Sequence, residues 1–283
     1  MEQITAKSLR PELLAAIEAA IVAGRRIMEI YDDPEADFGI EKKADNSPLT
    51  LADKAAHEVI CDMLEPLEIP ILSEEGRKID FAERASWERL WIVDPLDGTK
   101  EFIKKNGEFT VNIALVEPVE GGKAEPTIGV IYVPATKKLY FGDRGIGAYK
   151  VVKVLNTNNI KEEIEDAVDM ALTMPIDVPS KGDTYVVVAS RSHLSEETEQ
   201  FIAKIEQSHP KVETMSKGSS LKICLVAEGK ADIYPRFAPT MEWDTAAGDA
   251  ILRARGGALT MMDETTPLQY NKEDLLNPFF IAK

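Results

Sequence analysis

Cysteine and histidine are scarce in this sequence, and this limits the chemistry that it can support. Cys61 and Cys224 are its two cysteines, both in apolar stretches with helical spacing, and its three histidines are scattered along 283 residues. Two isolated cysteines do not form a disulfide framework, and scattered histidines argue against a zinc site built from imidazole. We therefore predict a reduced protein.

Long apolar runs are also missing. No stretch approaches the roughly 20 consecutive apolar residues of a membrane-spanning helix. The first residues, MEQITAKSLRPELL, lack the basic-then-apolar order of a secretory signal. We expect a cytoplasmic location, and peripheral association with the inner face of the cell membrane stays open.

Positive charge is in short supply. The chain has 33 Lys and Arg against 49 Asp and Glu, which gives a formal net charge of −16. Such a charge repels nucleic acid polymers and anionic lipid surfaces, so neither is an expected partner. A small phosphorylated substrate remains compatible if metal ions or a few placed Lys and Arg side chains supply local positive charge. The oligomeric state is not predicted.

The first half of the chain combines helices with a run of strands. Helical spacing of apolar residues predicts helices over 11–31 and 50–67. Residues 108–155 contain several strand patterns separated by short turns with Gly or Pro, which favours an antiparallel sheet. These elements predict an N-terminal α+β subdomain over 1–155.

The second half alternates between strand and helix patterns, which is typical of α/β units. We predict a C-terminal α/β subdomain over 156–283. The polar, acidic segment 156–183 is interpreted as the connection between the two subdomains.

The stretch WIVDPLDGT places two carboxylates at the end of a hydrophobic strand. Asp97-Gly98 is a common turn dipeptide, so a surface turn would explain it alone. Asp94 directly follows apolar residues, however, and a carboxylate near a core is costly unless it is paired or bound to metal. The turn, fixed by Pro95 and Gly98, lets both carboxylates and the Leu96 carbonyl point to one place.

Three further acidic residues lie at the edges of predicted elements, and each has an ordinary explanation. Asp53 follows Thr50 by three residues as in a capping box, Glu74 ends a strand, and Asp244 precedes a helix. Together with the two aspartates of the turn they suit Mg²⁺, which prefers oxygen ligands and keeps places for water and substrate phosphates. Two such ions can clamp the attacking and leaving oxygens of a phosphoryl transfer.

Thr99 and Asp53 are candidates for the activation of water. The Thr99 hydroxyl could orient the attacking water, and the Asp53 carboxylate could accept its proton. Competing phosphate-binding motifs are absent: there is no GxxxxGK[ST], and RGIGAYK is interpreted as a hairpin turn. His193, which follows a strand in SRSH, is a further candidate for a residue that faces a ligand.

VDPLDGT, with SEE upstream and WDTAAGDA downstream, resembles the inositol-monophosphatase-like superfamily of Mg²⁺-dependent, Li⁺-inhibited phosphatases. The resemblance runs through DNSPLTLADKAAHEVI, ILSEEG, NGEFTVNIALV and LLNPFF, and it covers nearly the whole chain. Lys100-Glu101-Phe102, GSSLK and DIYPRF are most similar to the 3′(2′),5′-bisphosphate nucleotidases of this superfamily. The implied fold is a layered αβαβα sandwich of two subdomains, as in inositol monophosphatases and fructose bisphosphatases.

The resemblance also implies a set of metal ligands. Glu74, Asp94 and the Leu96 carbonyl would hold one Mg²⁺, and Asp94, Asp97 and Asp244 would hold a second. A third, weaker ion would share Glu74 with water molecules. The site would lie where the two subdomains meet, because Asp244 belongs to the second half.

The roles that the resemblance implies for substrate binding fall on other residues. Thr99 and Asp53 would activate the water, and the backbone N–H groups of Gly98 and Thr99 would bind the phosphate. Four side chains match nucleotide contacts of related enzymes: His193, Ser219, Lys222 and Arg236. The two cations among them would neutralise a second phosphate, although both could instead lie in solvent without a ligand.

The implied reaction is hydrolysis of the 3′-phosphate of adenosine 3′,5′-bisphosphate to AMP and phosphate, with two or three Mg²⁺ ions and inhibition by Li⁺. The enzyme would clear a by-product of sulfate assimilation. The nearest alternative is a phosphatase for inositol phosphates or fructose 1,6-bisphosphate. A more distant one is a non-catalytic Mg²⁺- or Ca²⁺-binding regulatory protein. Thr99 and Asp53 argue against the latter, because metal binding alone needs no water-activating pair.

Overall fold

A computed structural model of the protein describes residues 4–35, 38–42, 48–119, 124–157, 159–174, 184–189 and 195–283. Its helices, in chain order, are α1 (Pro11–Asp32), α2 (Leu51–Leu64), α3 (Phe81–Arg84), α4 (Thr99–Ile103), α5 (Ile160–Asp169), α6 (Glu196–Ser208), α7 (Leu221–Ala227) and α8 (Glu242–Ala254).

The strands of the N-terminal part are β1 (Glu41–Lys42), β2 (Pro48–Leu49), β3 (Ile71–Ser73), β4 (Leu90–Asp97), β5 (Thr110–Pro118), β6 (Ala124–Val133), β7 (Lys138–Asp143), β8 (Gly147–Val151) and β9 (Leu172–Thr173). The strands that follow are β10 (Thr184–Val188), β11 (Lys211–Met215), β12 (Tyr234–Arg236), β13 (Leu259–Met261) and β14 (Phe280–Ala282).

A seven-stranded sheet in the order β3-β4-β5-β6-β7-β8-β9 is the largest layer of the molecule. The strands β4 to β9 are antiparallel to their neighbours, and only β3 runs parallel to β4. The prediction of an antiparallel sheet over 108–155 is therefore confirmed. Short turns between consecutive strands impose this arrangement, because a parallel pair needs a long crossover.

Helices α1 and α2 cover one face of this sheet. Pro11 occupies the first turn of α1, where its missing N–H costs nothing, and buried residues such as Ile17 recur along one side. The core beneath the two helices also contains Ala56, Trp91 and Val111. Helix α2 ends at Leu64, and one 3₁₀ turn completes the predicted helical span to residue 67.

Helices α7 and α8 cover the opposite face and separate the large sheet from further strands. A second core joins Ala114 of β5, Ile223 of α7, Ala247 of α8 and Leu259 of β13. Gly129 of β6 lets the backbone of α8 come close to the sheet: a Cβ at this position would lie 2.2 Å from the main-chain oxygen of Ala247. The absence of a side chain therefore lets α8 lie directly on the sheet.

Strands β10 to β14 form the fourth layer, which α6 covers, whereas β1 and β2 pair only with each other. Strands β10 and β11 are parallel, β14 lies antiparallel between β12 and β13, and a bridge from Val187 to Ile233 joins the two groups. A third core with Ile202 of α6 closes the outer side. The layers thus follow the order αβαβα, and the fold implied by the resemblance is confirmed.

The interpretation of 156–183 as a mere connection is wrong for its described part. Helix α5 buries Ile164 and Val168, and β9 pairs with β8 and extends the large sheet. The acidic residues mislead because most of them lie on the outer side of an amphipathic helix, whose apolar positions recur every three or four residues. Residues 175–183 lie outside the described part, and the division of the chain at residue 155 stays a prediction.

Among the described residues, no helix combines the length and the apolar character needed to cross a bilayer. The cytoplasmic location stays a prediction.

Candidate active site

A β-bulge in β4 brings the two aspartates of the VDPLDGT stretch together. Asp94 pairs with Asn112 and Asp97 pairs with Thr110, so three steps along β4 match two steps along β5. In a regular strand, residues three apart point to opposite faces of the sheet. The extra residue of the bulge reverses this alternation and turns both carboxylates to the same place.

Asp244 adds a third carboxylate from another layer of the fold. It lies in the first turn of α8, where its Oδ2 accepts a hydrogen bond of 2.8 Å from the backbone N–H of Met241. One oxygen from each of Asp94, Asp97 and Asp244 lies within 4.8 Å of the others. The structure therefore brings the three residues predicted for the second Mg²⁺ into one cluster.

The electrostatics of this carboxylate cluster call for a cation. Burial, together with the charges of Glu74 and Asp97, raises the pKa of Asp94 well above its usual range. Burial and the charge of Asp97 raise the pKa of Asp244 to about 7. Close carboxylates away from water cannot all stay ionised without compensation. Carboxylate oxygens whose negative charge has to be compensated suit a hard divalent cation such as Mg²⁺.

Glu74 and Leu96 lie next to the cluster. Glu74 follows β3 directly, and its carboxyl group shares a hydrogen bond with Asp94. Leu96 lies inside the bulge, where its N–H donates to Asp94 Oδ1 at 3.1 Å. The residues predicted for the first Mg²⁺ are thus neighbours, although only Asp94 belongs to the cluster defined above.

Asp53 and Thr99 form a hydrogen-bonded pair across 46 residues of sequence. Thr99 Oγ1 donates to Asp53 Oδ1 at 3.2 Å and also lies 3.4 Å from the Leu96 carbonyl oxygen. The other carboxylate oxygen of Asp53 accepts the backbone N–H of Thr50 at 2.7 Å, as in the predicted capping box. Capping and contact with Thr99 therefore use different oxygens of a carboxylate that is only 1% exposed.

Gly98 shapes the turn between the cluster and α4. Its φ of +92° lies in the left-handed region, and a Cβ would lie 3.1 Å from the Glu108 main-chain oxygen. Only glycine adopts this conformation without strain, and it lets the backbone enter α4 directly after Asp97.

A cleft of about 350 Å³ opens from the cluster toward the predicted nucleotide contacts. It is lined by six residues that the sequence singled out: Asp97, Gly98, Ser219, Lys222, Arg236 and Asp244. Both cations are partly buried rather than free in solvent, and the Nε atom of Arg236 is buried without a hydrogen-bond partner. Burial lowers the pKa of Lys222, and the nearby charge of Asp97 opposes this shift.

His193 lies outside the described residues, so its prediction is not tested. Sequence reasoning gave no role to several cleft residues that lie in or near the quoted motifs: Glu101, Lys104, Asn106, Glu108, Lys217, Tyr234 and Thr240. It also missed Asn112 and Ser220, which bind Asp97. Asn112 had a signal, because a polar residue within the apolar run FTVNIALV needs a buried partner.

The layered fold and the carboxylate cluster define the class of protein to which this chain belongs. It is a member of the inositol monophosphatase family, whose sequence pattern matches residues 8–280. The family predicted from the motifs is therefore confirmed.

Within this family the chain is similar to proteins named CysQ. "3′(2′),5′-bisphosphate nucleotidase CysQ" of Escherichia coli K12 is 42% identical over 261 residues, which cover 91% of this chain and 94% of the relative. The crystal structure of CysQ from Bacteroides thetaiotaomicron is 53% identical, covers 98% of both chains and has a TM-score of 0.83. An IMPase from Thermotoga maritima is 22% identical with a TM-score of 0.70, which shows the shared fold.

Proposed function

We propose that this chain is a 3′(2′),5′-bisphosphate nucleotidase that hydrolyses the 3′-phosphate of adenosine 3′,5′-bisphosphate and releases AMP and phosphate. The observation that carries the proposal is the single cleft that joins the carboxylate cluster to Lys222 and Arg236. A bisphosphate needs both groups: the carboxylates with their metal ions for the phosphate that is cleaved, and the two cations for the phosphate that stays. The similarity to CysQ proteins over more than 90% of the chain supports the same substrate class.

Mg²⁺ is the proposed cofactor, with two or three ions for each site. Asp94, Asp97 and Asp244 would hold one ion, Glu74, Asp94 and the Leu96 carbonyl a second, and Glu74 a weaker third. When bound, the ions supply positive charge to the phosphate and lower the pKa of the attacking water. Inhibition by Li⁺ is part of the proposal.

Asp53 and Thr99 would prepare the attacking water. The proton of the Thr99 hydroxyl is directed to Asp53 Oδ1, so the lone pairs of the hydroxyl can accept a hydrogen bond from water. This contact fixes the direction of the water relative to the phosphorus, and the Asp53–Thr99 pair draws off its proton. The water oxygen then forms the new P–O bond while the bond to the 3′ oxygen breaks; the 3′ oxygen keeps the bonding electron pair and takes up a proton from solvent. No covalent intermediate with the protein forms.

Lys222 and Arg236 would hold the phosphate that is not cleaved. In a chain of net charge −16, these two partly buried cations line the same cleft as Asp97 and Asp244. The Arg236 Nε is buried without a hydrogen-bond partner, so the guanidinium group has donor capacity left for an anion. A substrate with one phosphate would leave these cations without an anionic partner, and this predicts a preference for bisphosphates.

The decisive experiment compares phosphate release from adenosine 3′,5′-bisphosphate, inositol 1-phosphate and fructose 1,6-bisphosphate, each with Mg²⁺ and with or without Li⁺. We expect a strong preference for the nucleotide and inhibition by Li⁺. Preference for either of the other substrates would overturn the substrate assignment but keep the metal site. Absence of release from all three would favour a metal-binding protein without catalytic activity.

The metal assignment has its own test in Asp94→Asn. Loss of a ligand shared by two ions should lower turnover by at least about 100-fold, since even outer contacts of metal sites cost 10- to 100-fold. Circular dichroism should remain that of the wild type. Asp62→Asn, an exposed change on α2, is the matched control and should leave turnover unchanged. Turnover of wild-type size in Asp94→Asn would contradict the assignment.

A further inference from the structure

Asp97 is held by a compact group of polar side chains, here called the Asp97 cradle: Asn112, Ser219 and Ser220. Its Oδ2 accepts hydrogen bonds from the Ser219 hydroxyl at 2.8 Å, from the Ser220 hydroxyl at 2.7 Å and from the Ser220 backbone N–H at 2.6 Å. Asn112 Nδ2 lies 3.4 Å from the same oxygen. The cradle thus fixes one oxygen of Asp97 and leaves Oδ1 as the atom available to a cation.

Ser220 differs from the other members because its hydroxyl reaches two carboxylate-bearing residues. Besides Asp97 Oδ2, the Ser220 Oγ lies 3.0 Å from the main-chain oxygen of Asp244. Asn112 Nδ2 donates to Ser220 Oγ at 2.9 Å and occupies a lone pair of the hydroxyl. The hydroxyl proton is therefore left for the two acceptors, of which the Asp97 carboxylate oxygen is the closer.

The position of Ser220 in its own helix makes this use unusual. Ser220 is the N-cap residue of α7, and a serine at this position ordinarily accepts a hydrogen bond from the helix that it precedes. The Ser220 side chain makes no such bond. Its hydroxyl is instead turned away from α7 and toward Asp97 and Asp244. The Ser220 side chain thus does not cap α7 and contacts the carboxylate cluster instead.

Asp97 and Asp244 come from different layers, so their relative position depends on contacts between those layers. Asp97 ends β4 of the large sheet, whereas Asp244 lies in the first turn of α8, in the helical layer next to that sheet. Ser220 is 4% exposed, and its hydroxyl lies between the two. A buried donor that touches both elements fixes the distance between their carboxylates more tightly than packing alone.

We infer that Ser220 is a positioning residue of the metal site: its hydroxyl, oriented by Asn112, holds Asp97 and the start of α8 at the spacing that a divalent cation needs. The inference rests on the proposed function, because it assumes that Asp97 and Asp244 bind the same Mg²⁺. Contacts that orient metal ligands contribute to metal affinity without touching the ion.

The test measures Mg²⁺ binding by calorimetry and the Mg²⁺ concentration for half-maximal turnover in Ser220→Ala. We expect both to move by about tenfold or more toward weaker binding. Turnover at saturating Mg²⁺ and the KM for the nucleotide should stay close to wild type. Recovery with excess Mg²⁺ separates a positioning role from a general structural defect.

Two further variants keep the test decisive. Ser220→Cys keeps the volume but replaces the hydroxyl by a weak donor, so it should resemble Ser220→Ala and serves if that variant does not fold. Ser208→Ala removes a hydroxyl that donates to the Ile205 carbonyl at the exposed end of α6, and it should leave Mg²⁺ binding unchanged.

A double variant, Asn112→Ala with Ser220→Ala, tests whether the two residues act together. Because Asn112 is proposed to work through the Ser220 hydroxyl, the loss of Mg²⁺ affinity in the double variant should be smaller than the sum of the single losses. Mg²⁺ affinity within twofold of wild type in both Ser220 variants, while Asp94→Asn is inactive, would overturn this inference alone. Full activity of Asp94→Asn would instead overturn the metal assignment on which it rests.

Discussion

Single side chains in this molecule serve two purposes at once, and Asp53 is the clearest example. One of its oxygens accepts the Thr50 N–H as in a helix cap, and the other accepts the Thr99 hydroxyl. A local sequence pattern, Thr followed three residues later by Asp, explains the first contact completely. The second contact depends on where β4 ends relative to α2, so the cap alone gives no hint of it.

At the residue scale we predict that Thr99→Ala lowers kcat by about 10²- to 10⁴-fold, because the group that orients the attacking water is lost. Mg²⁺ affinity should change little, since the carboxylate cluster keeps its ligands. Thr99→Ser retains the hydroxyl and is the matched control, with most of the activity preserved. Steady-state kinetics at saturating Mg²⁺ measure the effect, and equal kcat values in Thr99→Ala and Thr99→Ser would contradict the role of the hydroxyl.

Close packing between α8 and the large sheet determines the position of Asp244, the proposed metal ligand from the second half of the chain. Helix α8 carries Asp244 in its first turn and lies on β6 at Gly129, where the helix backbone nearly touches the sheet. The position of this carboxylate relative to β4 is therefore set by a contact between helix and sheet that begins at Ala247, about one turn after Asp244.

At the element scale we predict that Gly129→Ala destabilises the protein by about 1–3 kcal/mol, as overpacking usually does. The new Cβ would lie 2.2 Å from the Ala247 main-chain oxygen and 2.8 Å from the Ala250 Cβ, so α8 has to move away from the sheet. Mg²⁺ affinity should fall as well, because Asp244 moves with the helix. Urea unfolding and calorimetry measure the two effects.

Gly145→Ala is the control for this change. Gly145 lies in the turn between β7 and β8, and a Cβ there meets only the Asp143 side chain, at 3.2 Å. Its stability and Mg²⁺ affinity should be near those of the wild type. A stability of Gly129→Ala equal to that of Gly145→Ala would show that α8 is not held against β6 as described.

An ion-pair network joins the start of α1 to the large sheet. Arg10 donates two hydrogen bonds of 2.9 Å to Glu117, and Arg89 lies 2.9 Å from the same carboxylate. Burial alone would raise the pKa of Glu117, but the hydrogen bond from Arg10 and that from Thr127 outweigh it and lower the pKa. The network thus links the entry of α1 to β5 and β6.

At the scale of the whole molecule this lowered pKa predicts a loss of stability in acid. Glu117 contributes at pH values above about 4.5, its unfolded pKa, and the contribution disappears as the pH falls through the lower folded pKa. Glu117→Gln should therefore lower the free energy of unfolding by about 1 kcal/mol at pH 7. The effect is small because the ion pair is partly exposed. The difference from wild type should shrink toward pH 3.

Urea unfolding at pH 7, 5 and 3 measures this dependence. Glu29→Gln breaks an exposed pair with Arg26 on α1 and should differ little from wild type at every pH. A difference between Glu117→Gln and wild type that stays constant from pH 7 to pH 3 would contradict the lowered pKa.

The sequence by itself determined the local features of this protein. The apolar spacing over 11–31 predicted α1, and Thr50 with Asp53 predicted the start of α2. VDPLDGT, with SEE upstream and WDTAAGDA downstream, indicated the family, which the match over residues 8–280 confirms. Each helix pattern and each motif depends on residues within a few positions of one another, where backbone conformation and side-chain periodicity are fixed by short-range sterics and burial.

Only the tertiary structure decided which residues meet. Asp244 lies within reach of Asp94 because α8 packs on the large sheet, and Ser220 touches both layers instead of capping its own helix. The acidic composition of 160–169 led to the prediction of a connecting segment, although one side of α5 is buried. Burial depends on what packs against a residue, and composition does not show this. Contacts between residues far apart in sequence result from the summed packing of several layers, and no local pattern records that sum.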